Sequence, residues 1–139
     1  MPQHVRDLMT ADPVTLPADA TVLEAARRMR DADIGDIVVL DGDRMSGLVT
    51  DRDLVVRALA EGRDPSQTSI GEVSSRDLAT LDPDASVEEA IRIVRQRAVR
   101  RIPVAEDGRP VGVVSIGDLA VERDESSALA DVSAAAPNR

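Results

Sequence analysis

The chain contains no phenylalanine, tyrosine or tryptophan. Any core it builds must be aliphatic, and no ring is available to stack on a base or to cage a cation. Cysteine is absent as well, which excludes disulfides and thiolate metal sites and leaves the redox compartment open. The one histidine, His4, has no second imidazole to join it in a metal site and is assigned no role. Positive charge is scarce: 17 basic residues against 26 acidic ones give a formal charge of -9. That balance argues against sequence-independent attraction to nucleic acid or to an anionic membrane. A small anionic ligand would need a local cluster of arginines or helix N-termini. No apolar run approaches the roughly 18 to 20 residues of a membrane span, and the first residues lack the basic and apolar regions of a signal peptide. The expected location is cytoplasmic.

What is present is a duplication. Residues 5–54 and 70–119 align without a gap at an offset of 65. Leu16, Asp19, Ala20, Val22, Glu24 and Ala25 meet Leu81, Asp84, Ala85, Val87, Glu89 and Ala90; Ile37, Val39, Arg44, Gly47, Val49, Asp53 and Leu54 meet Ile102, Val104, Arg109, Gly112, Val114, Asp118 and Leu119. With two copies only, the chain reads as a duplicated supersecondary unit rather than an open array. A unit of about 60 residues is marginal alone, so the copies are expected to share one core. The expected organisation is a first repeat over 5–60, a linker over 61–69, a second repeat over 70–121 and a disordered tail over 122–139, with a short helix around Ala128 to Val132.

Each copy opens on an extended stretch that leads into a capping box, Thr21 with Glu24 and Ser86 with Glu89. Val22, Ala25, Ala26 and Met29, and likewise Val87, Ala90, Ile91 and Val94, then form an apolar stripe at helical spacing. A hairpin follows, with turns at Asp41-Gly42-Asp43 and Asp107-Gly108, and then a second helix. Pro103 removes a ladder donor and predicts an edge or bulged position. Val5 to Met9 reads as one docked helical turn, echoed by Ile70 to Val73.

The motif that bears on chemistry also occurs twice: Gly47-Leu48-Val49-Thr50-Asp51-Arg52-Asp53 and Gly112-Val113-Val114-Ser115-Ile116-Gly117-Asp118. A hydroxyl at the end of a strand and a carboxylate three residues on, in the first turn of a helix, point into one mouth. Helix amides and the hydroxyl suit phosphate oxygens, and the carboxylate can accept from both ribose hydroxyls. The glycine permits close approach of a backbone or a ligand. Against this stands a purely structural account, in which Thr50 and Ser115 are N-caps and Asp53 and Asp118 complete capping boxes. Asp31, Asp33 and Asp36, or Asp41 and Asp43, lack the spacing of a calcium loop, so no metal site is assigned. There is no Walker loop, nucleophile elbow or dinucleotide fingerprint, and nothing looks catalytic.

Both halves resemble CBS domains, and the pair resembles a Bateman module over residues 5–120. The likeness is carried by Val14-Thr15-Leu16, the helix from Thr21, Ile34 to Val39, Thr50 to Asp53, Val99 to Val104 and Ser115 to Asp118. It implies an α/β (α+β) fold of two β-α-β-β-α units with pseudo-two-fold symmetry, an adenosyl ligand such as AMP, ADP, ATP or S-adenosylmethionine in the clefts between them, and a homodimer paired through helices. By position, Asp53 and Asp118 would hold ribose and Thr50 and Ser115 would face phosphate or ribose. Val14, Thr15, Ile37, Ala79, Thr80, Ile102 and Pro103 would wall the adenine. Arg52, Arg100 and Arg101 are the candidates for phosphate. The copies depart from each other here, because Gly117 replaces Arg52 and Gly35-Asp36 replaces Arg100-Arg101, so two unequal clefts are expected. The function this implies is a stand-alone, non-enzymatic regulatory pair that signals ligand occupancy to an unknown effector protein. It needs no fixed cofactor, and neither nucleic acid nor membrane is a partner. The alternative is a ligand-free dimeric interaction scaffold. Leu54, Val55, Ala58 and Leu59 supply the apolar area for dimerisation.

Overall fold

The computed structural model describes residues 4–123, with side chains through residue 120. The expected tail and its helix around Ala128 to Val132 lie outside the described residues, apart from 122 and 123 at the end of the last helix. In chain order the elements are β1 (Thr10–Ala11), β2 (Thr15–Pro17), α1 (Val22–Ala32), β3 (Asp36–Asp41), β4 (Arg44–Thr50), α2 (Asp51–Asp53), α3 (Val87–Arg97), β5 (Arg101–Glu106), β6 (Arg109–Ser115) and α4 (Ile116–Arg123). Three-residue 3₁₀ turns cover Val5–Asp7 and Ile70–Glu72, and α2 runs on into a π-helical turn over Leu54–Leu59. The content is mixed helix and strand, in the α+β class. Two compact units result. One spans Val14–Leu78, and the other joins the chain up to Pro13 to the chain from Ala79 onward.

The two long helices start as their sequences dictate. Thr21 and Ser86 each accept the backbone N–H three residues on, Glu24 and Glu89, at 3.0 Å. Both end in a left-handed residue, Asp33 at φ 55° and Ala98 at φ 52°. Val22, Ala25 and Met29 are buried, but Ala26 is exposed, so the stripe of α1 is narrower than expected. Ala26 lies about 100° around the helix from Ala25, beyond the edge of the contact with β3. In α3, Val87 and Ala90 are buried, with Ile91 and Val94 half-buried.

In the Val14–Leu78 unit, β2 runs parallel to β3 and β3 antiparallel to β4. The other unit orders its sheet β1-β6-β5, with Leu81 alone bridging in parallel to Val104. Two prolines account for that lost strand. In the first copy, Val38 N–H donates to the Val14 carbonyl at 3.0 Å and Ala18 N–H to the Leu40 carbonyl at 2.9 Å. The corresponding residues in the second copy, Pro103 and Pro83, have no N–H to donate. Only the Leu81 pair survives, to the Pro103 carbonyl and from Ala105 N–H. Pro103 thus sits on the strand that ends its sheet, one residue before a bulge at Val104/Ala105.

The single shared core expected from size gives way to two aliphatic clusters. Leu16, Ala25, Met29, Ile37, Val39, Val49, Leu54 and Ile70 are among the members of one; Val5, Leu81, Ala90, Ile102, Val104, Val114 and Leu119 are among those of the other. Each sheet is covered by its own helix, and the centre of each cluster is completed by a residue from outside its hairpin, Ile70 or Val5, both with no exposure.

Those two residues reveal an exchange of segments. Val5 N–H donates to the Ala85 carbonyl at 2.8 Å, and Thr10 and Ala11 pair with Val113 and Gly112, so the turn before the first repeat docks on the second repeat. Ile70 N–H donates to the Ala20 carbonyl at 2.8 Å, and Ser75 bridges to Leu48, so the turn before the second repeat docks on the first. The docked turns are those expected from the sequence, each on the opposite copy.

Candidate functional site

The duplicated motif is built at a strand-to-helix junction. Thr50 ends β4 and caps α2: its Oγ1 accepts the Asp53 N–H at 3.1 Å, and Asp53 Oδ2 accepts the Thr50 N–H at 2.9 Å. Ser115 and Asp118 repeat this at the start of α4 with the same distances, 3.1 and 2.9 Å. Of the two accounts of the motif, the capping boxes are realised in full. They also fix both hydroxyls and both carboxylates in direction, which a binding role requires. Asp53 keeps its second oxygen, Oδ1, 3.8 Å from the Arg57 Nε, and its side chain is 13% exposed.

The motif glycines serve backbone approach. A Cβ on Gly47 would stand 2.9 Å from the Ser75 carbonyl oxygen and 3.0 Å from Ser74 Oγ; on Gly112 it would meet Met9 and the Thr10 carbonyl oxygen at 2.9 Å. Both glycines are the points at which the exchanged segment crosses its host strand.

The sheet register settles what stands beside each hydroxyl. Thr50 pairs with Asp36 across β3 and β4, whereas Ser115 pairs with Arg101 across β5 and β6. One junction therefore has an acidic neighbour and the other a basic one, as the unequal repeats foretold. Arg100 is exposed, and its carbonyl accepts the Ile116 N–H at 2.8 Å. Arg101 is half-buried and already engaged. Arg52 is exposed on the first turn of α2, its N–H held by Asp51 Oδ1 at 2.8 Å.

The residues assigned to an adenine wall divide by unit. Val14, Thr15 and Ile37 belong to the Val14–Leu78 unit with Thr50, Arg52 and Asp53; Ala79, Thr80, Arg100, Arg101, Ile102 and Pro103 belong to the other with Ser115 and Asp118. Val14, Thr15 and Ala79 are half-buried and Thr80 is exposed. Ile37, Ile102 and Pro103 are all under 2% exposed, and the two isoleucines are core members of their clusters.

Sequence reasoning missed Arg57 and Arg76. With Gly71, Glu72, Ser74, Ser75 and Asp77 they line a cleft of about 510 Å³. Arg57 stands one turn beyond Asp53, a spacing legible in the sequence. Arg76 has only Ala11 as its counterpart at the repeat offset, so the repeat pattern drew no attention to it.

With a helix, a hairpin and a hydroxyl-carboxylate junction in each copy, the chain belongs to the CBS domain family, whose model matches residues 5–59 and 70–124. It is 38% identical over 133 residues to the CBS domain-containing protein YhcV of Bacillus subtilis, covering 93% of this chain and 94% of that protein. Among solved structures it resembles the crystal structure of Hypoxic Response Protein I with two coordinated zinc ions, at 36% identity and a TM-score of 0.77, over 86% of this chain and 98% of that one. The CBS domain pair of protein MJ0100, solved with methylthioadenosine and S-adenosyl-L-methionine, shares the fold at 23% identity and a TM-score of 0.78, over 89% and 98% of the two chains.

Proposed function

We propose that this chain is a regulatory CBS pair that binds an adenosyl ligand, AMP, ADP, ATP or S-adenosylmethionine, at the Thr50/Asp53 and Ser115/Asp118 junctions and passes its occupancy to a partner protein. The observation that carries the reading is the paired junction itself. In both copies a hydroxyl and a carboxylate are locked side by side at a helix N-terminus, the chemistry that suits phosphate and ribose. The MJ0100 pair shares only the fold with this chain, so the ligand class rests on the junctions. Zinc is left out of the reading, because a chain with no cysteine and one histidine cannot supply the usual nitrogen and sulfur donors. Output runs through association rather than catalysis: Val55, Val56 and Leu59, each more than 40% exposed on the π-helical turn, provide an apolar patch for a second copy, whereas Leu54 and Ala58, expected to share in it, are buried in the core. The expected homodimer is checked by light scattering at micromolar concentration, where a monomer mass overturns it. A cytoplasmic location is part of the same reading, and among the described residues no helix is long and apolar enough to cross a membrane.

The second reading, a ligand-free dimeric scaffold, is favoured by one observation: the capping boxes satisfy the motif without any ligand. Thermal melting of ligand-stripped protein separates the two. A ligand at 100 times its dissociation constant stabilises by about 2.7 kcal/mol. A melt that does not move with AMP, ADP, ATP or S-adenosylmethionine at millimolar concentration selects the scaffold.

A further inference from the structure

Beside Asp53, with Arg57 3.8 Å from its carboxylate, two arginines and two serines line a common cleft. Its volume, about 510 Å³, lies within the range of small-molecule sites. Arg57 directs one N–H to the Val73 carbonyl at 3.4 Å and faces Asp53 Oδ1 at 3.8 Å. Arg76 directs one N–H to the Gly71 carbonyl at 3.2 Å. A guanidinium has five N–H donors, so each arginine is oriented by the 71–73 turn and retains most of its fork. Ser75 is half-buried and lines the same wall.

Two carboxylates also line the cleft. Glu72 is occupied: Ser69 donates to it from backbone and side chain, and Arg63 pairs with it. Those bonds hold its carboxyl below the usual glutamate range, its charge answered by Arg63. Asp77 is engaged by an interaction of its own. Glu72 is thus committed to Ser69 and Arg63.

The repeat supplies the decisive comparison. The capping junction is present in both copies, as duplication of a structural device would leave it. The arginine pair is not: at the repeat offset Arg57 meets Glu122 and Arg76 meets Ala11, while Ser74 meets Met9. The first copy also lacks the basic pair Arg100-Arg101, having Gly35-Asp36 in its place. Beside Arg52, positive charge near the first junction comes from Arg57, 3.8 Å from Asp53, and Arg76 lines the same cleft as Arg57.

We propose that Arg57 and Arg76, with Ser75, receive the phosphate end of an anionic ligand whose ribose is held by Asp53. The inference rests on the adenosyl reading for the identity of that ligand and makes it a phosphorylated one, a nucleotide rather than an uncharged nucleoside, at this junction. Two N–H donors from each planar fork can meet phosphate oxygens in pairs.

Isothermal titration of the full chain with adenosine, S-adenosylmethionine, AMP, ATP and pyrophosphate tests this, using Arg57→Gln and Arg76→Gln. Both side chains are exposed; Arg76 gives up one contact to a carbonyl and Arg57 one such contact and a surface ion pair with Asp53, so both variants are expected to melt within a few degrees of the parent. The expected result is that each variant binds AMP and ATP about tenfold more weakly, as loss of a charge-assisted contact implies, while its affinity for adenosine is unchanged. Nucleotide affinity equal to that of the parent in both variants overturns the cleft and leaves the adenosyl reading standing. Pyrophosphate binding that both variants lose, with no nucleoside, nucleotide or S-adenosylmethionine bound at all, keeps the cleft and overturns the adenosyl reading. Binding of none of the five probes overturns both.

Discussion

Replacing Gly47 by alanine isolates the role of the motif glycine. Gly47 does not have positive φ, so alanine meets no backbone penalty there and its cost comes from contact alone. The added methyl would lie 2.9 Å from a carbonyl oxygen, closer than carbon and oxygen tolerate, and that oxygen belongs to backbone pinned by two hydrogen bonds. Leu48 N–H donates to the Ser75 carbonyl at 3.0 Å and Ser75 N–H to the Leu48 carbonyl at 2.9 Å. Relief requires the 74–75 segment to lift by a few tenths of an ångström, straining both bonds. Overpacking of this kind costs about 1–3 kcal/mol, and each bond contributes about 0.5–1.5 kcal/mol net. Because the bonds weaken without breaking, about 2 kcal/mol is expected, a fall in melting temperature of about 6–10 °C for a chain of this size. Circular dichroism melts with urea titration measure it. Gly62→Ala is the control: its methyl would meet nothing within 4 Å, but φ is +71°, so only a left-handed penalty of about 1 kcal/mol applies. A Gly47→Ala protein within 0.5 kcal/mol of the parent would refute the crossing argument and return the glycine to a ligand role.

Ile70→Ala and Val5→Ala remove residues with no exposure from different clusters; Ile70→Ala should cost about 2–5 kcal/mol and Val5→Ala somewhat less, read by urea denaturation. Asp53→Asn keeps an oxygen to accept the Thr50 N–H, so it should hold stability while weakening nucleotide about tenfold; Asp53→Ala should add a stability loss of about 1 kcal/mol from the broken capping box. Ala98→Gly should raise the melting temperature, since alanine pays about 1 kcal/mol to sit at φ 52°. Glu72, whose folded carboxyl titrates below its ordinary 4.5, contributes stability that is present above that value and lost as pH falls through the lower folded one. Glu72→Gln should accordingly flatten the acid limb of a stability-pH profile, and an unchanged limb would contradict the Ser69 and Arg63 contacts.

Local signals read well because their causes are local. The capping boxes at Thr21 and Ser86, the hairpin turns and the place of Pro103 each depend on a few neighbouring residues. The segment exchange was invisible, since the two hosts are near copies and either would accept Val5 or Ile70 by hydrophobicity alone. Ala26 was misplaced because apolar spacing cannot tell the edge of a helix stripe from its centre when the residue is small. At the site, the Thr50/Asp53 and Ser115/Asp118 pairs were legible through repetition. Arg57 and Arg76 were not, because repetition was the guide and those two positions differ between the copies.

The exchange also sets an order of events on the ribosome. Everything the Val14–Leu78 unit needs is synthesised in one uninterrupted stretch, so it can close as soon as Ile70 to Ser75 have emerged. Val5, made earlier, must wait with its side chain in water until Ala85 and the hairpin ending at Ser115 have appeared. Val5 and the Thr10–Ala11 strand thus belong to the later synthesised of the two units, although they precede the earlier one in the chain. A nascent chain paused in that interval carries a sticky turn with no host of its own, able to seat on the finished second repeat of another molecule. Trimming the chain before Pro13 would, by the same logic, injure the distant repeat and spare the adjacent one.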